Sequence, residues 1–192
     1  MANIDCPSVA YVRQCLFYHD GKLYWRTRPL HHFAGGRSNW KTWNTRFAGK
    51  EADSLRTVVG RRTPGKVEKR YRVAINGVSY LRYILVWVIC KGKWPRCKID
   101  HVNTDSTDDR IENLREATPG QDAGNKGISS RNTTGYKGVS VNRRSGKFLA
   151  RIKERHLGLF DTAREAAMAY DKAAVEEYGE FARTNTMMGL LQ

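Results

Sequence analysis

Cysteine pairs, long apolar runs and acidic residues are all scarce in this chain. Its four cysteines, Cys6, Cys15, Cys90 and Cys97, form no C-x-x-C pair and have no matching His–His spacing. That pattern argues against a structural zinc site and for free thiols in a reducing compartment. The longest apolar run, around Tyr83–Cys90, falls far short of the roughly 20 residues needed to span a bilayer. The N-terminus lacks a basic region followed by an apolar stretch, so no secretory leader is expected. The expectation is a soluble, cytoplasmic protein with no membrane partner.

Acids number 19 against 34 basic residues in 192, a net charge of +15 and a pI near 9.9. An excess of this size in a small protein points to a polyanion such as nucleic acid. The excess is uneven. Residues 1–99 hold 20 basic and 5 acidic residues, 100–125 hold 2 and 7, and 126–192 hold 12 and 7. An acidic island between basic arms suits a site that holds a divalent cation against DNA. Hydrophobic residues make up 40% of the chain, enough for folded modules with small cores.

Val9, Val12, Leu16 and Phe17 predict a helix over Val9–Tyr18, and Lys22–Thr27 reads as a short strand after the turn Asp20-Gly21. Residues 29–70 are basic and rich in turn formers, including Gly35-Gly36 and Gly60-Arg-Arg-Thr-Pro-Gly65, and are expected to order on DNA. Tyr71–Ile75 and Val78–Leu81 flank Asn76-Gly77, a strong hairpin signal. Arg82–Lys91 reads as a helix ended by Gly92. The polar stretch Asn125–Thr134 reads as a linker. Three strand-like runs follow, 136–142, 147–154 and 155–160. Thr162 and Glu165 then open a helix to about Tyr178 with capping-box spacing. Basic residues concentrate on the strands of this last module and acids on its helix.

An apolar residue before Asp100-His101 sets that pair at the end of a short strand. Arg110–Arg115 forms a second strand or turn, and Thr118 is a good N-cap for a helix. Such a ββα unit can bring strand and helix residues to one cation. Hydrolysing a phosphodiester needs a base to activate water and a cation to hold the phosphate and the leaving oxygen. A neutral imidazole can take the proton, provided that a partner fixes its tautomer.

The stretch Lys98-Ile-Asp-His-Val-Asn, then Asp109-Arg-Ile-Glu-Asn-Leu-Arg-Glu-Ala-Thr118 and Gln121-Asp122, resembles the HNH endonucleases of phages and mobile introns. The resemblance implies that His101 is the general base, that Asp100 and Asp122 hold the metal, and that Asn113 orients the imidazole. It also implies one divalent cation, Mg²⁺ or Mn²⁺ and no zinc. Two places depart from the pattern. Asp122 stands where His or Asn is usual, and its extra charge bears on the rate. Asp109 replaces the commoner Asn of the loop, and no function attaches to it. The resemblance extends upstream through Tyr80–Pro95, where Tyr83-Ile84 replaces a common His-Arg pair and the helix reads as packing scaffold.

Tyr136-Lys-Gly-Val139, Gly146-Lys-Phe148-Leu-Ala-Arg151, Leu157-Gly-Leu-Phe-Asp-Thr162 and the Ala positions to Ala174 resemble the ethylene-response-factor (Apetala-two) DNA-binding domain over 136–183. That family lays a three-stranded sheet in the major groove. The resemblance implies that Lys137, Arg151 and Lys153 lie on or beside contacting positions, and that Arg143, Arg144 and Lys147 meet phosphates. Phe148 and His156 stand at Trp positions of that family, and Arg151 replaces a Glu, so base preference does not transfer.

The expected fold class is α+β, a ββα-metal nuclease core followed by a small three-stranded sheet plus helix. The expected domains are a basic DNA-contacting region at 1–70, the nuclease core at 71–125, a linker at 126–135 and the sheet module at 136–183. The expected function is a phage-encoded homing-type endonuclease that nicks or cleaves double-stranded DNA as a monomer. The alternative is a sequence-specific DNA-binding regulator with weak or lost nuclease activity.

Overall fold

The computed structural model describes residues 6–59 and 67–191. The chain divides into two compact units, Met1–Glu116 and Ala117–Gln192.

In the first unit, Ser8 caps α1 (Val9–Cys15) by accepting a hydrogen bond from the Tyr11 N–H. The helix ends earlier than its apolar spacing predicts. Leu16–His19 is instead β1, antiparallel to β2 (Lys22–Trp25) across Asp20-Gly21, both at positive φ. This pairing sets Leu16 opposite Trp25, both buried, so tertiary burial outweighs a short helical pattern.

The next stretch, expected to lack order without DNA, forms helix α2 (Gly36–Phe47) and strand β3 (Asp53–Val59). Trp40, Trp43 and Phe47 recur at helical spacing, and Trp43 meets Trp25 edge-on with ring centroids 5.1 Å apart. Aromatic packing thus holds a segment that composition alone describes as polar. The expected turn region 60–65 lies outside the described residues.

β3 pairs with β4 (Val67–Ile75), which pairs with β5 (Val78–Leu81). Asn76 (φ 50°) and Gly77 (φ 79°) form the expected two-residue turn. Helix α3 (Arg82–Lys91) spans the predicted residues and ends at Gly92 in the left-handed region. Its Leu85, Val86 and Val88 are fully buried in one cluster with Val12, Leu16, Leu23, Val73 and Ile99. The boundary expected at 70/71 therefore runs through a single core. β6 (Lys98–His101) and β7 (Leu114–Ala117) make a two-stranded sheet, and Ile99 anchors β6 in that core.

The second unit begins with the short helix α4 (Pro119–Asn125), opened by a capping box between Thr118 and Gln121. Strands β8 (Val139–Val141), β9 (Phe148–Ile152) and β10 (Arg155–Phe160) pair antiparallel in the order β10-β9-β8. Thr162 and Glu165 cap α5 (Ala163–Tyr178) as their spacing predicts. Ala150 and Ala166, Ala167, Ala173 and Ala174 are buried between sheet and helix. Small side chains let the two layers approach closely. At Gly138 (φ 76°) an added Cβ would stand 1.9 Å from the Tyr170 ring. Asp171 fixes the segment after the helix by accepting from both nitrogens of Asn185 and from the Thr186 N–H and hydroxyl. Among the described residues no helix is long and apolar enough to cross a membrane.

Candidate active site

β6 ends on Asp100 and His101, each 9% exposed. Asp100 Oδ2 accepts from Arg115 Nε on the neighbouring strand at 3.2 Å. His101 sits edge-on to Tyr83 of α3, ring centroids 5.1 Å apart. The bulky ring of Tyr83 limits how the imidazole can turn, so α3 is more than packing scaffold.

The imidazole Nε2 lies 2.8 Å from Asp109 Oδ1. A buried carboxylate is an acceptor, so Nε2 carries a hydrogen and donates it to Asp109. Asp109 is 2% exposed. Its second oxygen accepts from Arg82 Nε at 2.7 Å. Arg82 reaches on to Asp53 Oδ2 at 2.8 Å and to the Thr107 carbonyl at 2.9 Å, with its guanidinium carbon 3.6 Å over the Tyr71 ring. A chain of charge-assisted contacts thus runs from His101 through Asp109 and Arg82 to Asp53 on β3. The acid expected to have no role holds the ring.

Asn113, expected to orient the imidazole, does a different job. Its Oδ1 accepts from the Asn103 N–H at 3.0 Å, and its Nδ2 donates to Asn103 Oδ1 and to the Asp108 carbonyl. Its carbonyl accepts from the Val102 N–H. Asn113 therefore ties the two ends of the loop between the strands, and acts on His101 through the backbone that carries it.

The acidic island resolves into separate duties. Asp105 accepts from the Thr107 N–H and hydroxyl, which lowers its pKa. The Arg110 guanidinium, at 2.8 Å, pulls the Asp108 pKa down to about 2. Glu116 accepts from the Arg96 and Cys97 N–H groups. Most of these carboxylates shape the loop rather than gather on a cation. Among the described residues no three His, Cys, Asp or Glu side chains cluster as a metal cage. Asp122 stands in the first turn of α4, in the second unit, 3.8 Å from Lys126 Nζ.

The candidate DNA-contacting residues of the second unit divide in two. Arg143 and Arg144 are exposed in the turn after β8, and Arg151 is exposed on the sheet face away from α5. Lys147 is exposed and ion-pairs with Asp161 at 2.9 Å. Lys153, in the turn after β9, pairs with Glu177 of α5. Lys137 departs from expectation. Its ammonium turns inward to the Gly124 and Arg183 carbonyls at 2.7 and 2.9 Å, and burial brings its pKa down to about 8. Its charge is spent on backbone carbonyls within the unit.

A model of the HNH endonuclease family matches residues 80–123, which hold α3, β6, the loop and β7. Protein 3.8 of Escherichia phage T7 is 31% identical over 107 residues, 53% of this chain and 88% of that protein. Residues 80–123 thus form an HNH endonuclease domain. An uncharacterized HNH endonuclease of Acanthamoeba polyphaga mimivirus is 31% identical over 110 residues, 57% of this chain and 58% of that protein. The ethylene-responsive transcription factor FZP of Oryza sativa subsp. japonica is 54% identical over 54 residues, 24% of this chain and 17% of that factor. The chain thus spans little more than half of the viral relative and a small part of the plant one. No solved structure matches.

HNH nucleases use a divalent metal ion. The donors present suit a hard cation that keeps most of its waters: a carboxylate at a strand end, beside an imidazole.

Asp109 and Arg82 are the residues that sequence reasoning missed. The signal for Asp109 was its acid in place of the usual Asn. Arg82 had a weaker signal, a lone cation in an otherwise apolar helix.

Proposed function

We propose that this protein is a DNA endonuclease of the homing type, hydrolysing phosphodiester bonds with one divalent cation and His101 as general base. The observation that carries the reading is the 2.8 Å contact of Asp109 on Nε2, which fixes the ring of His101 at the end of β6 with a carboxylate behind it. When His101 takes a proton from the attacking water, the positive charge develops beside a fixed carboxylate. Asp109 and Tyr83 keep the ring from turning away. Asn113 holds the loop that sets the backbone of His101. Asp100 and Asp122 would hold Mg²⁺ or Mn²⁺, and the metal when bound supplies charge for the scissile phosphate and the leaving oxygen. Arg143, Arg144, Lys147 and Arg151 would grip double-stranded DNA along the exposed sheet of the second unit, and the partial similarity of the chain to plant transcription factors supports this.

The test is incubation of purified protein with plasmid and Mg²⁺ or Mn²⁺. Nicking or cleavage that disappears in His101→Ala supports the reading. Failure to cut any DNA, including the locus that encodes the protein, would leave the second reading, a DNA-binding regulator with lost nuclease activity. The Asp100–Arg115 contact favours that alternative, because a ligand carboxylate already has a cationic partner.

A further inference from the structure

The first unit buries two arginines, and they are treated differently. Arg82, 4% exposed, has carboxylates on two of its nitrogens. Arg28, 5% exposed, ion-pairs with no carboxylate among the described residues. Its Nη2 donates to Tyr11 Oη at 2.8 Å and to Asn76 Oδ1 at 2.9 Å, and its Nε to His32 Nδ1 at 3.3 Å. Burial, followed by the charges of Arg28 and His31, lowers the pKa of His32 and keeps it neutral. All these partners are uncharged, and so is the Cys15 thiol, which also hydrogen-bonds to Arg28 and whose pKa burial raises. The rings of Phe33 and Trp43 lie 5.1 Å from the guanidinium carbon. A guanidinium does not discard its proton in a protein, and burying a charge without a counter-charge is unfavourable. Cation–π contacts offset only part of that cost.

Arg28 borders a cavity of about 420 Å³ whose lining has no acidic residue. Within the roughly 300–1,000 Å³ usual for ligand sites, it has room for more than a bare anion. Phe33 and Trp43 supply aromatic wall on one side, and Asn76 supplies an amide. Ala34, Gly35 and Asn39 bring the start of α2 to the rim. That helix has no side-chain cap and no acid in its first turn, so its positive end is available to an anion.

We propose that the Arg28 pocket binds a phosphate of a nucleic-acid strand, with an adjoining nucleotide against Phe33 and Trp43. Charge selects the occupant, since residues 1–99 carry 20 basic and 5 acidic residues. None of the residues named for scission lines the pocket. It is an anchoring site, and it stands whether or not His101 cuts.

All five tryptophans fall in the first unit, and two of them line the pocket, so their fluorescence reports its occupancy. The full chain is titrated with 5′-phosphorylated tetrathymidylate, and separately with inorganic phosphate at matched ionic strength. The expected result is a saturable change with the oligonucleotide, weakened about tenfold or more in Arg28→Gln, as loss of a charge-assisted contact implies. Loss of Arg28 can also loosen the aromatic cluster, so Asn39→Asp serves as the second variant. It places an acid at the rim in the first turn of α2, where the helix dipole favours it. Its thermal stability is maintained while oligonucleotide affinity falls several-fold. On duplex DNA, Arg28→Gln lowers the slope of log K against log salt by about 0.9, one phosphate's share. His101→Ala binds as the parent does. The proposal fails if the parent shows no saturable change or if both pocket variants bind tetrathymidylate like the parent. It also fails if inorganic phosphate titrates the signal while the oligonucleotide does not. Loss of binding in His101→Ala alone would move the site to the scission centre and overturn it too.

Discussion

Asp109→Asn removes one charge and almost no volume, and the structure says which way the new amide must face. Asp109 presents one oxygen to His101 Nε2 and the other to Arg82 Nε, at 2.8 and 2.7 Å. Both partners of the carboxylate donate. An amide has one oxygen and one NH₂, so one donor must lose its acceptor. Arg82 cannot become an acceptor, whereas a neutral imidazole can, by moving its hydrogen to the other nitrogen. The amide oxygen therefore turns to Arg82 and its NH₂ to Nε2, which forces the hydrogen onto Nδ1. The lone pair then points into the protein, and the base faces the water with the wrong nitrogen. A positioned general base contributes about 10²–10⁴-fold, so the rate of plasmid nicking should fall by at least about 100-fold. Arg82 keeps Asp53 and the Thr107 carbonyl, so the first unit should stay folded, as tryptophan fluorescence reports. The assay is the initial nicking rate in Mg²⁺ across pH, beside His101→Ala as the floor. A rate within about twofold of the parent, with an unchanged pH profile, would refute the reasoning. Asn is the commoner residue here in the resembling nucleases, so the outcome also decides whether Arg82 is what makes the acid necessary.

Arg82→Met should lower the stability of the first unit by about 3–5 kcal/mol, because it leaves Asp53 and Asp109 buried without their cation; urea unfolding followed by tryptophan fluorescence measures this. A loss under about 1 kcal/mol would mean that water or another cation reaches those carboxylates. In the second unit, Arg151→Ala should lower the salt-dependence slope for duplex DNA by about 0.9, whereas Lys137→Met should leave it unchanged. The Lys137 pKa of about 8 is below the ordinary lysine value near 10.4. The fully favourable state therefore lies above the unfolded pKa, and stability is lost as pH falls from about 10.4 to 8. Melting of the second unit by circular dichroism should show that dependence in the parent and lose it in Lys137→Met.

Local signals were read well wherever one short stretch decides the outcome. Asn76-Gly77 set its turn, Gly92 ended α3, and Thr118 and Thr162 capped their helices, because each outcome depends on backbone freedom or on a donor three residues away. The two segments whose secondary structure differs from expectation involve partners distant in sequence. Phe17 and Tyr18 left the predicted helix because β2 offered Leu16 a place opposite Trp25. Residues 36–47 read as turn-rich, yet Trp43 had Trp25 and Phe33 to pack against. The Trp40–Trp43–Phe47 spacing was the available signal, outweighed by Gly and basic residues around it.

Seven acids against two bases in 100–125 point to a site that holds a divalent cation, and HNH nucleases use one. A count of charges carries no information on where each oxygen points. Asp105 and Asp108 act within two residues of themselves, as short side chains in tight loops do. Asp109 looks inward because Arg82, 27 residues earlier, waits in an apolar helix with no local acid to satisfy it. The same logic, applied in reverse, isolates Arg28. A buried cation that finds its acid identifies a structural network, and one that finds only aromatic rings and amides identifies a place for an anion from outside. Pairing each buried charge, rather than summing charge along the chain, separates the loop acids of this protein from its scission centre and its candidate phosphate anchor.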